Sequence, residues 1–430
     1  MKLIHIFTLG IVTFISGSCV ASRIEDSLSL CEYARYLIKF VDSNLDTMEQ
    51  INIYSEGEVI SKVIVADGLD ALEDILKSYE NVYAVMDDQV AISCPSAARI
   101  ADILNEKGAP GMLVEAAEET KTMGAVMSIC EWLLEQGADR DAMVLAIGGG
   151  ITSDMTGFAA SIYKRGVRFA YIPTTLLSQV DAAIGGKTGV NFERYKNILG
   201  TIRQPEFTYI CPQVLESLSN RDFLSGVAEM LKTFIIEDNE NYYDAVGLLS
   251  DMNIEYCSRV SKGQDDQSAW QDSVELNSGE LLKLIYEAAK VKAGVVSRDQ
   301  FEGGERRKLN LGHTFAHAIE TIAQRRNEDV THGEAVAMGI ILAAELSGKY
   351  AKTDEQWAEI CDFDLYSRLE DDFLSIGLPI NCAYRIEEMS EIMKKDKKAE
   401  SGKVHFVLPA AVGDVRIVDF SVDEVVALMS

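Results

Sequence analysis

The chain has 430 residues, of which 47% are hydrophobic and 25% charged, and its formal net charge at pH 7 is −28. This length is enough for two domains with buried cores, and so acidic a chain is unsuited to a phosphate backbone, so we expect no nucleic acid partner. Eight cysteines without CxxC spacing favour reduced thiols in the cytoplasm over a disulfide framework.

Residues 1–47 differ in character from the rest of the chain. MKLIHIFTLGIVTFISGSC contains one lysine, an apolar run and then Cys19, which is the order of a secretory or lipoprotein signal. The apolar run is too short for a membrane span, so we expect no membrane insertion. The alternative is a start assigned too early, because Met48 opens MEQINIYSEG, which has the pattern of a first strand. We favour this alternative and therefore expect a cytoplasmic protein.

From residue 48 to residue 212, short apolar runs alternate with segments of helical periodicity. The runs lie at 63–66, 82–87, 112–116 and 143–150, and RFAYIPTT and EFTYICP supply two more. Continuous apolar strands separated by helices predict a parallel sheet that is covered on both faces. We therefore expect a Rossmann-like α/β domain over residues 48–212.

Residues 213–430 predict a second, mostly α-helical domain. Hydrophobic residues repeat with the period of an α-helix in RDFLSGVAEMLKTFIIEDNENYYDAVGLL, GELLKLIYEAAKVKAGVVSRD and HGEAVAMGIILAAELSGKYA. SGKVHFVLPAAVGDVRIV predicts two short strands near the end. The polar stretch at 257–279, CSRVSKGQDDQSAWQDSVELNSG, predicts an exposed loop or insertion.

Two glycine-rich segments lie in the first domain. AIGGGITSDMTGF follows a predicted strand and opens a helix, so Gly149 and Gly150 would let the backbone approach a pyrophosphate, although the spacing is not GxGxxG. Asp154 would then either cap the helix or contact a nucleotide. QVDAAIGGKTGVN is not a P-loop, because Asp181 occupies a position that requires glycine.

Several cationic and polar side chains accompany these glycines. Lys187 lies in the second glycine-rich segment, Lys196 and Asn197 follow it, and Arg165 precedes it in YKRGVRF. In a strongly acidic protein, such a group suits a pocket for a phosphate or a carboxylate. The alternative is a solvated loop with ordinary surface lysines.

Three of the five histidines, His313, His317 and His332, lie within twenty residues of one another. Imidazole is a common ligand of divalent metals, and Glu229 is a further candidate because its neighbours are small and apolar. A carboxylate with two histidines would leave the open coordination position of a catalytic zinc site. The alternatives are that the histidines pack against or cap helices and that Glu229 and Lys232 form a surface pair.

Together these segments resemble the 3-dehydroquinate synthase family of sugar-phosphate cyclases. The resemblance runs from about Met48 to the end of the chain, and it rests on GGGITSDMTGFAASIYKRGVRF, IPTTLLSQVDAAIGGKTGVN, KNILGTIRQP, GVAEMLK, ERRKLNLGHTFAHAIE, HGEAVAMG and KKDKKAESGKVHFVLP. It implies an N-terminal NAD+-binding α/β domain and a helical metal-binding domain, with the active site in the cleft between them. It also implies one Zn²⁺ or Co²⁺ ion and a homodimer.

The resemblance implies three sets of site residues. The metal ligands fall on Glu229, His313 and His332. The substrate-binding and catalytic residues fall on Arg165, Asp181, Lys187, Asn197, Lys232, Lys292, Arg306, Asn310 and His317, with Lys397 as an addition. The NAD+ contacts fall on Asp87, Glu118, Lys121, Gly149, Gly150, Asp154, Thr174, Thr175 and Lys196.

The activity that the resemblance implies is the conversion of 3-deoxy-D-arabino-heptulosonate 7-phosphate, a small phosphorylated sugar acid, to 3-dehydroquinate and phosphate in the shikimate pathway. NAD+ takes a hydride from C5 and returns it, phosphate is eliminated, and an intramolecular aldol reaction closes the ring. Two departures from the family pattern are Ser153, in place of a glycine in the nucleotide loop, and a longer segment around residues 250–278.

Three other functions compete with this one. Another sugar-phosphate cyclase would act on sedoheptulose 7-phosphate, whereas Arg306, Asn310 and His317 suit a substrate that carries a carboxylate. A metal-dependent polyol dehydrogenase would not need the cluster of cations. An exported binding protein would be expected to lack some metal ligands or lysines, and all of them are present.

Overall fold

The structure is a computed structural model that describes residues 48–193, 195–396 and 403–430. The signal-like segment 1–47, with Cys19, and also Lys397 lie outside these residues. Met48–Ser430 packs as a single unit, so the predicted boundary between residues 212 and 213 stays a prediction.

The first half of the described chain contains a seven-stranded sheet, whose strands are β1 (Met48–Ser55), β2 (Glu58–Ala66), β3 (Val82–Asp87), β4 (Gly111–Val114), β5 (Met143–Gly148), β6 (Arg168–Pro173) and β9 (Phe207–Ile210). Their order across the sheet is β1-β2-β9-β6-β5-β3-β4. The strands from β2 to β4 in this order are parallel, and β1 pairs antiparallel with β2 at one edge. The predicted parallel sheet is confirmed, and Met48 does begin its first strand.

Apolar side chains cover both faces of the sheet. On β5, Met143, Leu145 and Ile147 belong to one buried cluster, and Val144 and Ala146 belong to another on the opposite face. This alternation is the period of two that a strand imposes. The flanking helices are α1 (Asp70–Lys77), α2 (Asp88–Ser93), α3 (Ala97–Lys107), α4 (Met123–Glu135) and α5 (Gly150–Ile162).

The second half of the chain is mostly helical, as predicted. Its helices are α6 (Asn220–Glu237), α7 (Asn239–Ser261), α8 (Asp266–Leu276), α9 (Ser278–Arg298), α10 (His313–Arg326), α11 (His332–Tyr350), α12 (Glu355–Ala358), α13 (Leu365–Ile376), α14 (Ile386–Asp396) and α15 (Val422–Met429). The hairpin of β10 (Val404–Ala411) and β11 (Asp414–Phe420) packs with them, which confirms the two predicted strands. No helix among the described residues is both long enough and apolar enough to cross a membrane.

The predicted loop at residues 257–279 was wrong, because the end of α7, all of α8 and the start of the helix at Ser278–Arg298 together fill most of it. The carboxylate of Asp265 caps α8 by accepting a hydrogen bond from the backbone N–H of Ser268 (3.1 Å). Trp270 is buried, with its ring centroid 5.0 Å from that of Phe223. α8 is an amphipathic helix whose buried face consists of Ala269, Trp270, Ser273 and Val274, so the polar composition of the segment was misleading.

Lys187, in the second glycine-rich segment, begins a strand and does not lie in a loop. This strand is β7 (Lys187–Phe192), which forms a hairpin with β8 (Tyr195–Ile202), and Lys187 pairs with Ile202. A Cβ atom on Gly200 would lie 1.9 Å from the carbonyl oxygen of Thr188, so the two strands approach closely only because this residue is glycine. The hairpin fixes the positions of Lys187, Lys196 and Asn197 on a strand pair.

Candidate active site

Three side chains from three helices converge in the helical half of the chain. Glu229 lies in the middle of α6 and is fully buried, whereas His313 and His332 are the first residues of α10 and α11. Oε1 of Glu229 is 3.1 Å from Nε2 of His332 and 3.5 Å from Nε2 of His313. One ligand atom from each residue lies within 4.8 Å of the others, which is the spacing of a mononuclear metal site.

Contacts near the start of α11 fix the position of His332. Thr331 and Glu334 form a capping box, and the guanidinium of Arg221, from the first turn of α6, donates to both carboxylate oxygens of Glu334 at 2.7 and 2.8 Å. The backbone N–H of Gly333 donates to Oγ of Ser225 on α6 (2.9 Å). These bonds tie the helix of His332 directly to the helix of Glu229.

The position of His313 depends on the turn before α10. Gly312 has a φ of +77°, and Nδ1 of His313 lies 3.1 Å from the carbonyl oxygen of Leu311. That contact suits a protonated Nδ1, which leaves Nε2 with a free lone pair facing Glu229.

Electrostatics favour metal-binding protonation states in two of these three residues, Glu229 and His313. Burial, reinforced by Lys232, lowers the pKa of His313 to about 3, so its imidazole is neutral. Burial alone would raise the pKa of Glu229, but Lys232 and the histidines outweigh it and hold the pKa well below its usual value. Burial also opposes charge on His332, but Glu229 and Glu320 outweigh it and raise its pKa to about 10. A carboxylate and two imidazoles fit a divalent cation that displaces the proton of His332.

A buried network of charges adjoins this group. Nζ of Lys232 contacts Glu229 and lies 3.5 Å from Oδ1 of Asp181, while Nζ of Lys292 lies 2.5 Å from the same Oδ1. Burial outweighs Asp181 and lowers the pKa of Lys292 to about 8. The alternative of a surface pair between Glu229 and Lys232 was wrong, because these side chains are 0% and 2% exposed.

A second group of polar side chains contains a residue that sequence reasoning missed. The carboxylate of Glu302 lies 2.5 Å from Nζ of Lys187 and accepts a hydrogen bond from Nδ2 of Asn310 (2.8 Å). Arg306 is buried and donates to the carbonyl oxygens of Gln300 (2.5 Å) and Gly185 (2.9 Å). In the sequence, Glu302 is a carboxylate followed by two glycines, shortly before a pair of arginines. This pattern is too common to have identified Glu302 as a site residue.

Most of the residues that were predicted to contact NAD+ lie at the carboxyl ends of parallel strands. Asp87 ends β3, Gly149 and Gly150 follow β5, and Thr174 and Thr175 follow β6. The backbone N–H of Thr174 donates to the carbonyl of the residue before Gly149 (3.0 Å), so the two turns are adjacent. This edge of a parallel sheet is where dinucleotides bind in Rossmann-like folds.

Lys121 connects the nucleotide side of the site with the hairpin. Its Nζ lies 2.6 Å from Oδ2 of Asp154 and 2.5 Å from Oδ1 of Asn197, which has a φ of +51°. Asp154 lies inside α5, whose N-cap is Gly149, so the alternative that Asp154 caps the helix was wrong.

The remaining contacts of the hairpin include two more residues that the sequence did not single out, Asn191 and Glu320. Nδ2 of Asn191 donates to Oε1 of Glu118 (2.8 Å), and Nζ of Lys196 lies 3.3 Å from Oε1 of Glu320. Both contacts join segments that are more than seventy residues apart in the chain. No local pattern could have indicated them.

Two predicted substrate-binding residues lie at the edge of the candidate active site. The imidazole of His317 is one turn after His313, and their ring centroids are 5.7 Å apart. Arg165 is exposed, with a φ of +71°, at the end of a 3-10 turn (Tyr163–Arg165), and no ion pair joins it to another described residue. Lys397 lies outside the described residues, so its role stays a prediction.

Comparison with known proteins shows to which family this chain belongs. A family model described as 3-dehydroquinate synthase N-terminal matches residues 111–225, and one described as 3-dehydroquinate synthase C-terminal matches residues 226–399. The chain belongs to the 3-dehydroquinate synthase family. The division between the two matches lies thirteen residues after the predicted domain boundary at residue 212.

Individual members of the 3-dehydroquinate synthase family match most of the chain. The 3-dehydroquinate synthase of Dictyoglomus thermophilum is 38% identical over 306 residues, which cover 71% of this chain and 78% of that protein. The 3-dehydroquinate synthase of Paracoccus denitrificans is 37% identical over 322 residues, which cover 72% and 78%. Among solved structures, 2-epi-5-epi-valiolone synthase from Streptomyces hygroscopicus, with NAD+ and Zn²⁺ bound, is 27% identical with a TM-score of 0.70 and covers 88% of this chain and 98% of that one.

Proposed function

We propose that this chain is a 3-dehydroquinate synthase, which converts 3-deoxy-D-arabino-heptulosonate 7-phosphate to 3-dehydroquinate and phosphate in the shikimate pathway. The observation that carries the proposal is the cluster of Glu229, His313 and His332 beside the buried amines of Lys232 and Lys292. Such a site places a divalent cation next to groups that bind an anionic substrate, in a chain of this enzyme family.

The residues at the site fit the two cofactors that this reaction requires. Glu229, His313 and His332 would hold Zn²⁺ or Co²⁺, which supplies a Lewis acid for a substrate hydroxyl. Asp87, Gly149, Gly150, Thr174 and Thr175 would hold NAD+, which supplies a hydride acceptor that is regenerated in each turnover. Solved relatives support this assignment, because the valiolone synthase has NAD+ and Zn²⁺ bound.

The residues of the chain itself bind and orient the substrate. Lys232 and Lys292 present buried ammonium groups to an anionic substrate, and Asp181 favours their charged forms. Lys187 and Asn310 direct their donors to one place, where Glu302 accepts both in this structure. A carboxylate or phosphate of the substrate would make the same pair of contacts.

A second candidate function is that of another sugar-phosphate cyclase. Structural similarity to 2-epi-5-epi-valiolone synthase, at 27% identity, favours it. The relatives that are 37–38% identical and are named 3-dehydroquinate synthase favour the first candidate. A polyol dehydrogenase would have no need for the two buried lysines at the site.

Phosphate release tests the proposed function and separates the candidates. Protein that begins at Met48, supplied with NAD+ and Zn²⁺ or Co²⁺, is expected to release phosphate from the heptulosonate phosphate without accumulating NADH. Exhaustive chelation should abolish this activity. Turnover of sedoheptulose 7-phosphate instead would support the second candidate, and net formation of NADH from a polyol would support a dehydrogenase. Activity that survives chelation would contradict the metal site.

Lys292 gives the proposed enzyme a pH dependence. Its pKa of about 8 is lower than that of a free lysine, so the amine is charged below pH 8 and loses its charge as the pH rises through that value. We expect KM for the heptulosonate phosphate to be flat below about pH 8 and to rise above it by about tenfold per pH unit. Initial rates measured across this range test the expectation.

The control for this pH dependence is Lys292→Arg, because a guanidinium keeps its charge throughout the range. Its KM profile should lack the rise near pH 8, even if its absolute KM is higher. The same rise in the variant would assign the pH dependence to another group.

We also propose that the enzyme is a cytoplasmic homodimer that acts on a small phosphorylated substrate. NAD+ and phosphorylated intermediates of metabolism are held in the cytoplasm. The dimer is supported by the exposed apolar side chains of the hairpin, Phe192 (51% exposed), Tyr195 (55%) and Ile198 (59%), because a second copy would cover this surface. Light scattering tests the dimer, and acylation or cleavage of the native protein near Cys19 would contradict the cytoplasmic location.

A further inference from the structure

We propose that Glu320 is a positioning residue that orients the metal ligand His332 and, through the same oxygen, anchors Lys196 of the hairpin. The inference rests on the proposed metal site of Glu229, His313 and His332. It assigns Glu320 no direct contact with the metal, the substrate or NAD+.

The first part of the argument is the geometry of His332. Its Nε2 lies 3.1 Å from Glu229, and its Nδ1 lies 3.6 Å from Oε1 of Glu320. Each ring nitrogen therefore faces a different carboxylate. When a metal takes Nε2, a carboxylate at Nδ1 keeps the proton there, fixes the ring and increases the basicity of the metal-binding nitrogen.

The second part is the helix on which Glu320 lies. Glu320 follows His313 by seven residues in α10, which is two turns, so the two side chains project from one face of the helix. The side chain of Glu320 is 15% exposed, too little for an ordinary surface carboxylate. One helix thus supplies a metal ligand and also the carboxylate that faces another ligand.

The third part is the contact with Lys196. Nζ of Lys196 on β8 lies 3.3 Å from Oε1 of Glu320, the same atom that faces His332. Glu118, at 3.9 Å, is the other carboxylate near this amine among the described residues. Asn197, next in the chain, is bonded to Lys121. Glu320 therefore joins the hairpin on the nucleotide side to the metal side of the site.

The test uses Glu320→Gln, which keeps the size of the side chain and removes its charge. We expect affinity for Zn²⁺, measured on the folded protein by competition with a chromogenic chelator, to fall about 10- to 100-fold. The matched control is Glu388→Gln, because Glu388 pairs with Arg326 at the other end of α10 (2.7 and 2.8 Å) and lies outside the site. The control should bind Zn²⁺ like the unaltered protein.

The link to the hairpin needs a second measurement. Lys196→Met and Glu320→Gln are each expected to lower the affinity for NAD+, and the double variant should lose less than the product of the two separate effects. If the double variant loses affinity for NAD+ by the full product of the two separate effects, the link between Glu320 and Lys196 is contradicted. Zn²⁺ affinity of Glu320→Gln within twofold of the unaltered protein would contradict the positioning role.

The outcomes separate this inference from the proposed function. If the unaltered protein binds no Zn²⁺ and is insensitive to chelation, the metal site fails and the inference fails with it. If the unaltered protein binds Zn²⁺ and the Glu320→Gln variant binds it equally well, only the inference fails. If Glu320→Gln does not fold, Glu320→Asp replaces it, because this variant keeps the charge at a greater distance from His332. We expect its affinity for Zn²⁺ to lie between that of the unaltered protein and the 10- to 100-fold weaker value, and unchanged affinity would overturn the inference.

Discussion

His313→Ala is expected to yield folded protein without bound metal and to lower turnover by about a thousandfold or more, since a Lewis acid is worth several kcal/mol to the reaction. His332→Ala should do the same. Both residues place an imidazole nitrogen within 3.5 Å of the buried carboxylate of Glu229, and removing either leaves two ligands. Metal content by mass spectrometry, together with phosphate release, measures the two effects separately.

The matched control on the same helix is His317→Ala. His317 is one turn away and does not belong to the group whose ligand atoms lie within 4.8 Å of one another. The variant should keep its metal and still lose activity, because we propose that His317 binds substrate. Loss of metal from His317→Ala, or its retention in His313→Ala, would contradict the assignment of ligands.

Gly333→Ala is expected to disrupt the site because the added methyl group would collide with the backbone of α6. A Cβ atom on Gly333 would lie 2.2 Å from Cα and 2.3 Å from the carbonyl oxygen of Ser225, so α6 and α11 would have to separate. Overpacking of this kind lowers the free energy of unfolding by about 1–3 kcal/mol. It also moves His332 away from Glu229, so affinity for metal should fall together with stability.

Gly348→Ala, on the same helix, is the control for this variant. A Cβ atom there would have no neighbour within 4 Å among the described residues. Replacing a helical glycine by alanine at such a position should stabilise the protein by about 0.5–1 kcal/mol and leave metal binding unchanged. Denaturant unfolding and Zn²⁺ titration of the two variants test the pair, and equal behaviour would contradict the proposed tight contact.

The sequence predicted what depends on local patterns. Continuous apolar runs such as 143–148 indicated parallel strands, because a strand that is buried on both faces needs no polar alternation. Glu229 could be singled out because a carboxylate among small apolar residues is unusual. In each case the information lies within about ten neighbouring residues.

The sequence did not predict what depends on distant partners. Glu302 and Glu320 became notable only when the fold brought them to Lys187, Lys196 and His332. The segment 257–279 looked like a loop because the buried face of α8 packs on distant residues, such as Phe223, which lies 47 positions before Trp270. Local composition cannot distinguish a solvated loop from an amphipathic helix that is held by such distant contacts.

The location of both histidines at the first position of a helix has a dynamic consequence. Helix ends open by local fluctuation more readily than helix centres, and His313 and His332 lie at two such ends, facing the buried middle of α6. A bound cation would resist the fraying of α10 and α11 together, with a free energy that grows with the logarithm of its concentration. Protein without its cation would therefore open at these two helix ends more often than protein that holds it.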